Sequence, residues 1–453
     1  FLIFAVFFIF FLSYLSIPHI YNKIEIHKEL QNQLSDKFNL NFIFAKKFNY
    51  KFFPRPHFIA ENLYILDEHV EVSDIKKLRI FVSLDNLFSL KKINVKDVNI
   101  ENANFNLNKK SSDFFLKLLD NNFVESNLSI KNSNIFFKNA DQETLFINKI
   151  ISMRYYYDPK ELKNIVTSEN EIFNIPYYLM SYSDEIENKI FSKINFKFLK
   201  FQIENELDYR NDPKKGNVNF IYNKNKSKAS YEFSKDFLNF NFLDSLIVPK
   251  FVYEGNINFN PFYSIFKGNA DKINISHMLF PDSIFSQLFK TEILNNKNLN
   301  INLNINSKKI SEFQNIVDVI LNLKIQEGLI DINNTKFSWS DYVDFEILDS
   351  LLYVNKNQLI LDGKLVLTVS NYNEIYKFLQ ISKNLRPELK KIELDFYYNF
   401  DQQIVDFNTI KINNQINENV NNVLNKVILK KNKLQNKIYF KNIIKKAIAA
   451  YVG

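Results

Sequence analysis

Residues 93–108 read Ile93-Asn-Val-Lys-Asp-Val-Asn-Ile-Glu-Asn-Ala-Asn-Phe-Asn-Leu-Asn108, and this stretch decides the fold. Apolar side chains fall at every second position, except at two places where the spacing slips by one residue. A period of two places one row of side chains on one face of an extended strand. Each slip predicts a bend or bulge that keeps the apolar face intact. The stretch therefore predicts a one-faced β-strand with two irregularities.

The central part of this pattern recurs along the chain. Its form, apolar-x-apolar-x-Asn-small-x-apolar-x-apolar, occurs in Val98–Leu107, Leu128–Phe137 and Ile330–Trp339. A looser copy runs from Phe58 to Ile65, with Asn62 at the asparagine position. Asparagine tolerates left-handed backbone angles, so we expect it to occupy the bend. The recurrence predicts a mainly β chain built from one repeated, one-faced element.

The composition allows a large apolar surface. The 453 residues are 46% hydrophobic and 16% aromatic, which is enough for a sizeable core or for one long sheet. The net charge is +8, a balance compatible with nucleic acid, with an anionic membrane surface or with no specific partner. The chain contains no cysteine, which excludes a disulfide framework, thiolate catalysis and cysteine-ligated metal sites within it.

Catalytic and cofactor motifs do not occur in the sequence. No two of the 6 glycines are close enough for a dinucleotide, nucleophile-elbow or phosphate-loop motif. The 5 histidines form no H-E-x-x-H and no helical i, i+4 pair. We therefore predict no catalytic residue, no cofactor and no metal, and a protein that is not an enzyme. Aromatic residues alternate with lysine in Phe196–Phe201, but an amphipathic strand has the same spacing, so nucleic acid is not a predicted partner.

The segment Phe1–Ile17 contains no charged residue. A helix of this length covers about 25 Å, slightly less than a ~30 Å hydrocarbon core, and residues before Phe1 would complete a span. A cleaved signal peptide needs small residues two apart before the cut, whereas Ser13 and Ser16 are three apart. The segment is predicted to be an uncleaved anchor with the body outside the cytoplasm. A buried core helix is the alternative.

The N-terminal quarter also carries an ordered series of features. The apolar helix and a short helical stretch precede Phe53-Pro-Arg-Pro56, Ala60-Glu-Asn-Leu-Tyr-Ile65, Phe81-Val-Ser-Leu-Asp-Asn-Leu-Phe-Ser-Leu-Lys-Lys92 and Ile93–Leu107. This order and spacing resemble the N-terminal region of the AsmA family of bacterial envelope proteins. The resemblance covers about Phe1–Asn108 and, more loosely, Gly328–Gln415. The family often has a glycine in the turn before its first long strand, where this chain has Asn39 and Asn41.

The resemblance implies both a fold and a function. It implies an N-terminal transmembrane helix, then a long curved antiparallel β-sheet that forms a hydrophobic groove for phospholipid acyl chains. AsmA-like proteins are associated with moving phospholipid between the inner and outer membranes and with outer-membrane assembly. The implied location is the bacterial inner membrane, single-pass, with the body in the periplasm and with the outer membrane or envelope proteins as further partners. A two-sheet sandwich and a non-transporting structural protein of the envelope are the alternatives.

Four segments follow from these patterns. Residues 1–17 are the anchor, 18–41 a stalk or the first helix of the body, 42–415 the repetitive β groove with short helices, and 416–453 a C-terminal amphipathic helical segment. A final helix near Lys437–Val452 has one apolar side and several lysines elsewhere. Such a helix either lies on anionic lipid or caps the end of the sheet.

The candidate groove residues are apolar side chains of three predicted strands. The cleanest alternation in the chain, Asn298–Asn306, places four apolar residues on one side and five asparagines on the other. We expect all candidates to face one interior. They are Val98, Ile100, Phe105, Leu107, Ile194, Phe196, Phe198, Leu299, Ile301, Leu303 and Ile305.

Overall fold

The computed structural model describes residues 2–452 except 45–47, 68–69, 90–91, 109–110, 122, 140–141, 185, 223–224, 245–250, 260–261, 276–282, 312, 314, 425–428 and 431–436. The chain is mainly β, with 57% strand and 19% helix, as the alternation predicts. It forms two compact units, one of Phe1–Leu238 with Phe259–Pro261 and one of Asn239–Asn258 with Phe262–Gly453. No described helix combines the length and the apolar character that a membrane crossing requires.

Helices occur at both ends of the chain and between some strands. Those in the described residues are α1 (Leu2–Ser16), α2 (Lys23–Phe38), α3 (Phe114–Lys117), α4 (Ile284–Lys290), α5 (Tyr372–Phe378), α6 (Glu418–Leu424) and α7 (Lys437–Val452). Part of the predicted C-terminal helical segment, residues 425–428 and 431–436, lies outside the described residues.

The strands of the first unit form one sheet. They are β1 (Asn41–Ile43), β2 (Phe48–Lys51), β3 (His57–Asp67), β4 (Val70–Val82), β5 (Val95–Leu107), β6 (Asn127–Lys138), β7 (Thr144–Asp158), β8 (Lys163–Ile172), β9 (Ile175–Asp184), β10 (Lys189–Phe196), β11 (Phe201–Asp208), β12 (Lys214–Tyr222) and β13 (Asn225–Phe233). Both β1 and β2 pair with β3, and each later strand pairs with the next one along the chain as far as β13.

The second unit is built in the same way. Two strands, β14 (Phe237–Asp244) and β15 (Phe251–Phe259), have residues in both units. The strands that follow are β16 (Phe262–Ala270), β17 (Asn300–Lys309), β18 (Ile316–Gln326), β19 (Leu329–Asp331), β20 (Thr335–Trp339), β21 (Val343–Asn355), β22 (Gln358–Val369), β23 (Lys391–Asn399), β24 (Ile404–Ile412), β25 (Gln415–Ile416) and β26 (Leu429–Lys430). Neighbours in sequence pair from β16 to β25, except that β19 and β20 both pair with β18 and not with each other, and β26 pairs with β24.

Two strand pairs correct the prediction of an antiparallel sheet. The pairs β5–β6 and β16–β17 are parallel. Parallel neighbours need a crossover connection of a dozen or more residues, because the chain must return to the same end of the sheet. Residues 108–126 make the first crossover and contain α3, whereas residues 271–299 make the second and contain α4. These short helices therefore belong to the connections that parallel pairing demands.

The slip inside each repeat is a bend with a left-handed asparagine, as predicted, whereas the earlier slip, between Val95 and Val98, coincides with a register shift in the β4–β5 pairing. The asparagine of each repeat has a positive φ: 54° at Asn62, 54° at Asn102, 48° at Asn132 and 60° at Asn334. Asn39 ends α2 with a φ of 51°, so it takes the left-handed C-cap position that glycine commonly occupies. Asparagine reaches these angles at a lower cost than most residues because its short side chain bonds locally.

The slips of adjacent strands coincide across the sheet. One row of paired residues lies before the slips, and a second row lies after them on the same face. The first row is Ala60, Leu78, Ile100 and Ile130, and the second is Leu63, Ile75 and Ala103. The slips of β3, β4, β5 and β6 lie at the same level. Neighbouring strands therefore keep their pairing register, and the face stays apolar on both sides of the bend.

Serine hydroxyls replace backbone carbonyls as hydrogen-bond acceptors near these bends. The Ile65 N–H donates to Ser73 Oγ at 3.1 Å, and the Ala103 N–H donates to Ser133 Oγ at 3.0 Å. In the second unit the Ile332 N–H donates to Ser350 Oγ at 2.9 Å. All three serines are buried, so each one satisfies a backbone donor that water cannot reach.

The helix α2 is part of the core of the first unit and not a stalk. Its buried side chains Ile26, Leu30, Leu34 and Phe38 join the core cluster that contains the apolar face of β1–β7. Two polar side chains bind the start of β5: Gln33 Oε1 accepts from the Val95 N–H at 3.0 Å, and Lys37 Nζ donates to the Val95 carbonyl at 2.9 Å. Burial of one leucine of this kind is worth roughly 1.5–3 kcal/mol.

Helices also cover two parts of the second unit. Phe289 of α4 packs in a cluster with buried residues of β18, β19, β21 and β22. The helices α5, α6 and α7 pack in a second cluster with Ile410 and Ile412 of β24. The final helix is thus a cap: Ile443 is buried, and Lys441 Nζ lies 4.3 Å from the centre of the Phe378 ring.

The left-handed bend at Asn102 provides a test of the repeat. Replacing Asn102 with Val should lower the free energy of unfolding by about 1–2 kcal/mol, because a β-branched residue opposes a positive φ. Asn102→Gly keeps this angle accessible and should cost no more than about 1 kcal/mol. Asn99→Val, on the same strand at an ordinary position, should change the value by less than about 0.5 kcal/mol. Urea unfolding followed by circular dichroism measures all three, and equal losses at Asn99 and Asn102 would contradict the assignment.

Candidate functional site

The strand register places the predicted residues of the first unit on one face. A ladder of paired residues connects two of them across six strands, and it runs through Ile100, Ile130, Met153, Ser168, Leu179 and Ile194. Val98, Phe105 and Leu107 lie on the same side of β5 as Ile100, and Phe196 lies on the same side of β10 as Ile194. We call this side of β1–β13 the first apolar face.

The N-terminal part of the first apolar face is closed by helices. Val98, Ile100, Phe105 and Leu107 are at most 3% exposed. They share one core cluster with Leu30 and Leu34 of α2 and with the α3 crossover, where the Phe115 ring lies 5.2 Å from the Phe105 ring. Four of the candidate groove residues therefore lie in a packed core. Strand alternation identifies the dry side of β5 but contains no information about what covers it.

The part of the face formed by β9–β12 is more open. Ile194 and Phe196 are half-buried, as are Phe201, Ile203 and Phe220 on the strands that follow. An aromatic ladder crosses this region, with ring centroids 5.2 Å apart for Tyr177–Phe196, 6.0 Å for Phe196–Phe201 and 6.1 Å for Phe201–Phe220. Aromatic rings spaced in this way offer a broad apolar surface at a small cost in side-chain entropy.

Phe198 requires a correction. The sequence predicts one strand from Phe191 to Phe201, but β10 ends at Phe196 and β11 begins at Phe201. Residues 197–200 form the turn between them, with Lys200 at a φ of 51°. Phe198 is 69% exposed on this turn and is not on the strand. The run of alternating apolar residues continues through the turn, so periodicity alone did not show the reversal.

A row of polar side chains crosses the first apolar face. Ser168 Oγ donates to Asn170 Oδ1 at 2.8 Å, and the Tyr177 hydroxyl donates to Asn148 Oδ1 at 2.8 Å. The hydroxyls of Ser181 and Ser192 lie 2.7 Å apart. These residues occupy positions on β7–β10 that the alternation reserves for apolar side chains. Serine and asparagine at positions on the apolar side of these strands are the signal that sequence reasoning missed.

Burial raises the pKa of two tyrosine hydroxyls on the first apolar face. It raises the pKa of Tyr177 to about 12, against a smaller lowering from the hydrogen bond to Asn148. Burial likewise raises the pKa of Tyr231, whose hydroxyl donates to Asn205 Oδ1 at 2.7 Å. Both hydroxyls are therefore donors at neutral pH. The polar groups satisfy one another, so the row does not present charge to the face.

The second unit places its four candidates on one face as well. Leu299, Ile301 and Leu303 are half-buried, and Ile305 is buried. On β16 and β18 their partners are Ser264 and Ile325 for Ile301, Phe266 and Leu323 for Leu303, and Gly268 and Leu321 for Ile305. This side of β16–β24, the second apolar face, continues through half-buried residues of later strands. Those residues are Phe345, Ile347, Leu365, Leu367, Leu394 and Phe396.

Glycine makes room for a tyrosine ring on the second apolar face. A Cβ at Gly268 would lie 2.8 Å from Cδ2 of Tyr253 and 3.3 Å from Ile305. The ring of Tyr253 therefore lies close to the backbone of β16, which a larger residue would prevent. Burial raises the pKa of Tyr253 above its ordinary value, which fits a phenol placed on an apolar surface.

The described residues contain no group of three or more His, Asp or Glu side chains arranged to hold a metal ion. A polar cleft of about 680 Å³ lies beside α2 and α3, where Lys117 Nζ is 3.3 Å from both carboxylate oxygens of Asp67. This cleft contains an ion pair and amide side chains. Apolar surface is the feature that the two units share.

The sequence matches no protein-family model and no curated protein. We therefore infer function from the two apolar faces. Surface of this kind binds apolar ligands by removing them from water, at roughly 25 cal/mol per Å² of apolar area buried. Only the parts without a helical cover are open to such a ligand. Ile194, Phe196 and Leu303 lie in those parts, whereas Ile301 packs against the cluster that contains Phe289 of α4.

Thiol labelling distinguishes the covered part from the open part. The chain has no cysteine, so each single substitution introduces the only reactive thiol. Ile194→Cys should react with a thiol reagent in the folded protein. Ile100→Cys should react at least about tenfold more slowly, because its buried thiol becomes accessible only when the structure opens locally. In denaturant the two variants should react at the same rate. Equal rates in the folded protein would contradict the division of the first apolar face.

Proposed function

We propose that the protein is a membrane-anchored envelope protein of the AsmA type that binds or conducts phospholipid between the inner and outer membranes and supports outer-membrane assembly. The single observation that carries this proposal is half-buried apolar surface outside the helix-covered clusters, on β9–β12 around Phe196 and on the second apolar face from Leu303 through Phe345 to Leu367. The resemblance of residues 1–108 to the family supplies the ligand class, phospholipid. On this proposal the sheet faces form the walls of a groove for acyl chains.

Acyl chains suit these surfaces physically. A chain transferred from water to an apolar surface gains about 0.8 kcal/mol for each buried methylene, and it makes no hydrogen bonds that would fix its position. Successive strands lie about 4.8 Å apart, so a row of similar side chains offers a ligand many nearly equivalent positions. Binding without a fixed register is what a conduit needs, because the ligand must move along the face.

The helix α1 is the proposed inner-membrane anchor. It contains no charged residue, and its side chains Phe4, Phe7 and Phe10 are 72–81% exposed. Its side chains at Phe4 and Val6–Phe11 are exposed, and an exposed aromatic helix of this kind suits lipid better than water. On this proposal the protein is single-pass with its body in the periplasm.

A structural role in the envelope is the second candidate function. The packed core around Val98 and Ile100 favours it, because that part of the face is filled by the protein itself. The internally bonded polar row at Asn148 and Ser181 favours it as well, because polar groups interrupt the apolar surface. In this case the sheets would serve as a scaffold and would contain no lipid.

Charge placed on the second apolar face separates the two functions. We expect Leu303→Asp to leave the protein folded, because this side chain is only partly buried and lies outside the helix-covered clusters, so a carboxylate there can stay hydrated. Ile301→Asp, at the edge of the α4 cluster, tests the same face beside that cover and is also expected to fold. In a packed core the same carboxylate would cost several kcal/mol. Each variant should lose co-purifying phospholipid, measured by mass spectrometry, and should weaken the outer-membrane barrier.

The opposite side of the same strand provides the control. Asn300→Asp and Asn302→Asp add the same charge on the wet side and should change neither lipid content nor the barrier. Groove variants that fold and retain normal lipid would refute the conduit. Groove variants that unfold would show a packed core and would favour the structural role.

A further inference from the structure

Large apolar side chains that project into solvent are concentrated around α1. Nine such residues are more than 70% exposed among the residues that the structure describes. Three lie on α1, four lie close to its C-terminal end, and two lie in turns elsewhere. In that order they are Phe4, Phe7 and Phe10; Ile20, Ile24, Phe53 and Phe88; and Leu162 and Ile186. This distribution marks the end of the first unit from which α1 emerges.

Tyrosine hydroxyls hold the end of α1 against the sheet. The Tyr14 hydroxyl donates to the Leu84 carbonyl at 2.6 Å and accepts from the Leu87 N–H at 3.1 Å. The Tyr50 hydroxyl of β2 donates to the Leu15 carbonyl at 2.8 Å. A third hydroxyl, from Tyr21, donates to the Leu87 carbonyl. These bonds fix the last turn of α1, so the residues around it have a defined position relative to that helix.

The exposed residues lie next to these bonds. The Phe88 ring is 4.8 Å from the ring of Tyr14, and Phe53 follows Tyr50 by three residues on the same segment. Ile20 and Ile24 follow α1 directly, at the start of α2. Leu84, which accepts the Tyr14 bond, is itself 48% exposed. We call these five residues, Ile20, Ile24, Phe53, Leu84 and Phe88, the basal collar.

Basic side chains accompany the basal collar. Lys23 and Lys51 are exposed beside Ile24 and Phe53. Arg55, also exposed, lies 2.9 Å from Asp97 and stacks over the Phe81 ring at 4.5 Å. Apolar side chains mixed with lysine and arginine are typical of surfaces that lie at the boundary between acyl chains and anionic headgroups.

We propose that the basal collar inserts into a lipid surface, so that the first unit sits directly on the membrane that α1 enters. The inference rests on the anchor of the proposed function. Continuity with α1 identifies the occupant as lipid, because the collar adjoins the C-terminal end of an uncharged helix whose apolar side chains are exposed. The tyrosine bonds then orient the unit, since a helix fixed to its body cannot swivel on a loose linker.

Tryptophan quenching in full-length protein tests the collar. A Trp339→Phe background removes the one tryptophan of the chain, so each variant contains a single tryptophan. Four variant proteins are reconstituted separately in vesicles of phosphatidylethanolamine and phosphatidylglycerol: Phe88→Trp, Phe53→Trp, Phe10→Trp and Ile186→Trp. A fraction of the lipid carries bromine on the acyl chains near the glycerol. We expect Phe88→Trp and Phe53→Trp to lose emission to an extent comparable with Phe10→Trp. Ile186→Trp, exposed in a turn remote in sequence from α1, should lose none. Circular dichroism checks that each variant is folded.

The other outcomes separate this inference from the proposed function. Quenching of Phe10→Trp alone would overturn the collar and leave the anchor in place. Absence of quenching at Phe10→Trp would overturn the anchor and the collar together. Equal quenching at Ile186→Trp would mean that contact with lipid is not specific to this end, and would overturn the collar too.

Discussion

A β-strand with one dry side must hide that side from water, and most of this structure follows from how its apolar faces are covered. In the first unit α2 and the α3 crossover cover the faces of the early strands, and the buried row from Leu30 to Phe38 completes a closed core. In the second unit α4 covers one part of the face and the last three helices cover another. Within the described residues of each unit, helices and not a second sheet form these covers.

The aligned bends allow such faces to continue. Without a bend, a slip of one residue in the apolar spacing would send every later apolar side chain of a strand to the wet side. Here the slips of β3, β4, β5 and β6 fall at one level, so neighbouring strands change together and their pairing survives. Left-handed asparagines make the bend sterically possible, and buried serines such as Ser73 and Ser133 satisfy backbone donors beside it. Bulges also increase the local twist, which favours a curved sheet over a flat one.

The uncovered parts of the faces are where function is to be sought. They combine an aromatic ladder around Phe196 and Phe201 with aliphatic side chains such as Leu303 and Leu321. The tyrosines on them keep their protons, because burial raises their pKa, and their hydroxyls are used within the sheet. A surface of this kind offers apolar area without charge. That property suits an acyl chain.

Sequence alone determined the mainly β class, the dry side of each strand and the asparagine bends, because each depends on neighbouring residues in the chain. Side-chain alternation and the φ preference of asparagine are local properties. Together they predict correctly the left-handed bends at Asn62, Asn102, Asn132 and Asn334. Tertiary structure alone decided the parallel pairs, the turn at Phe198 and the division of each face into covered and open parts. The cover of Ile100 comes from Leu30 and Leu34, some seventy residues earlier, and no period in either segment records that contact. Burial is a relation between distant segments, so it exists only once the chain is folded.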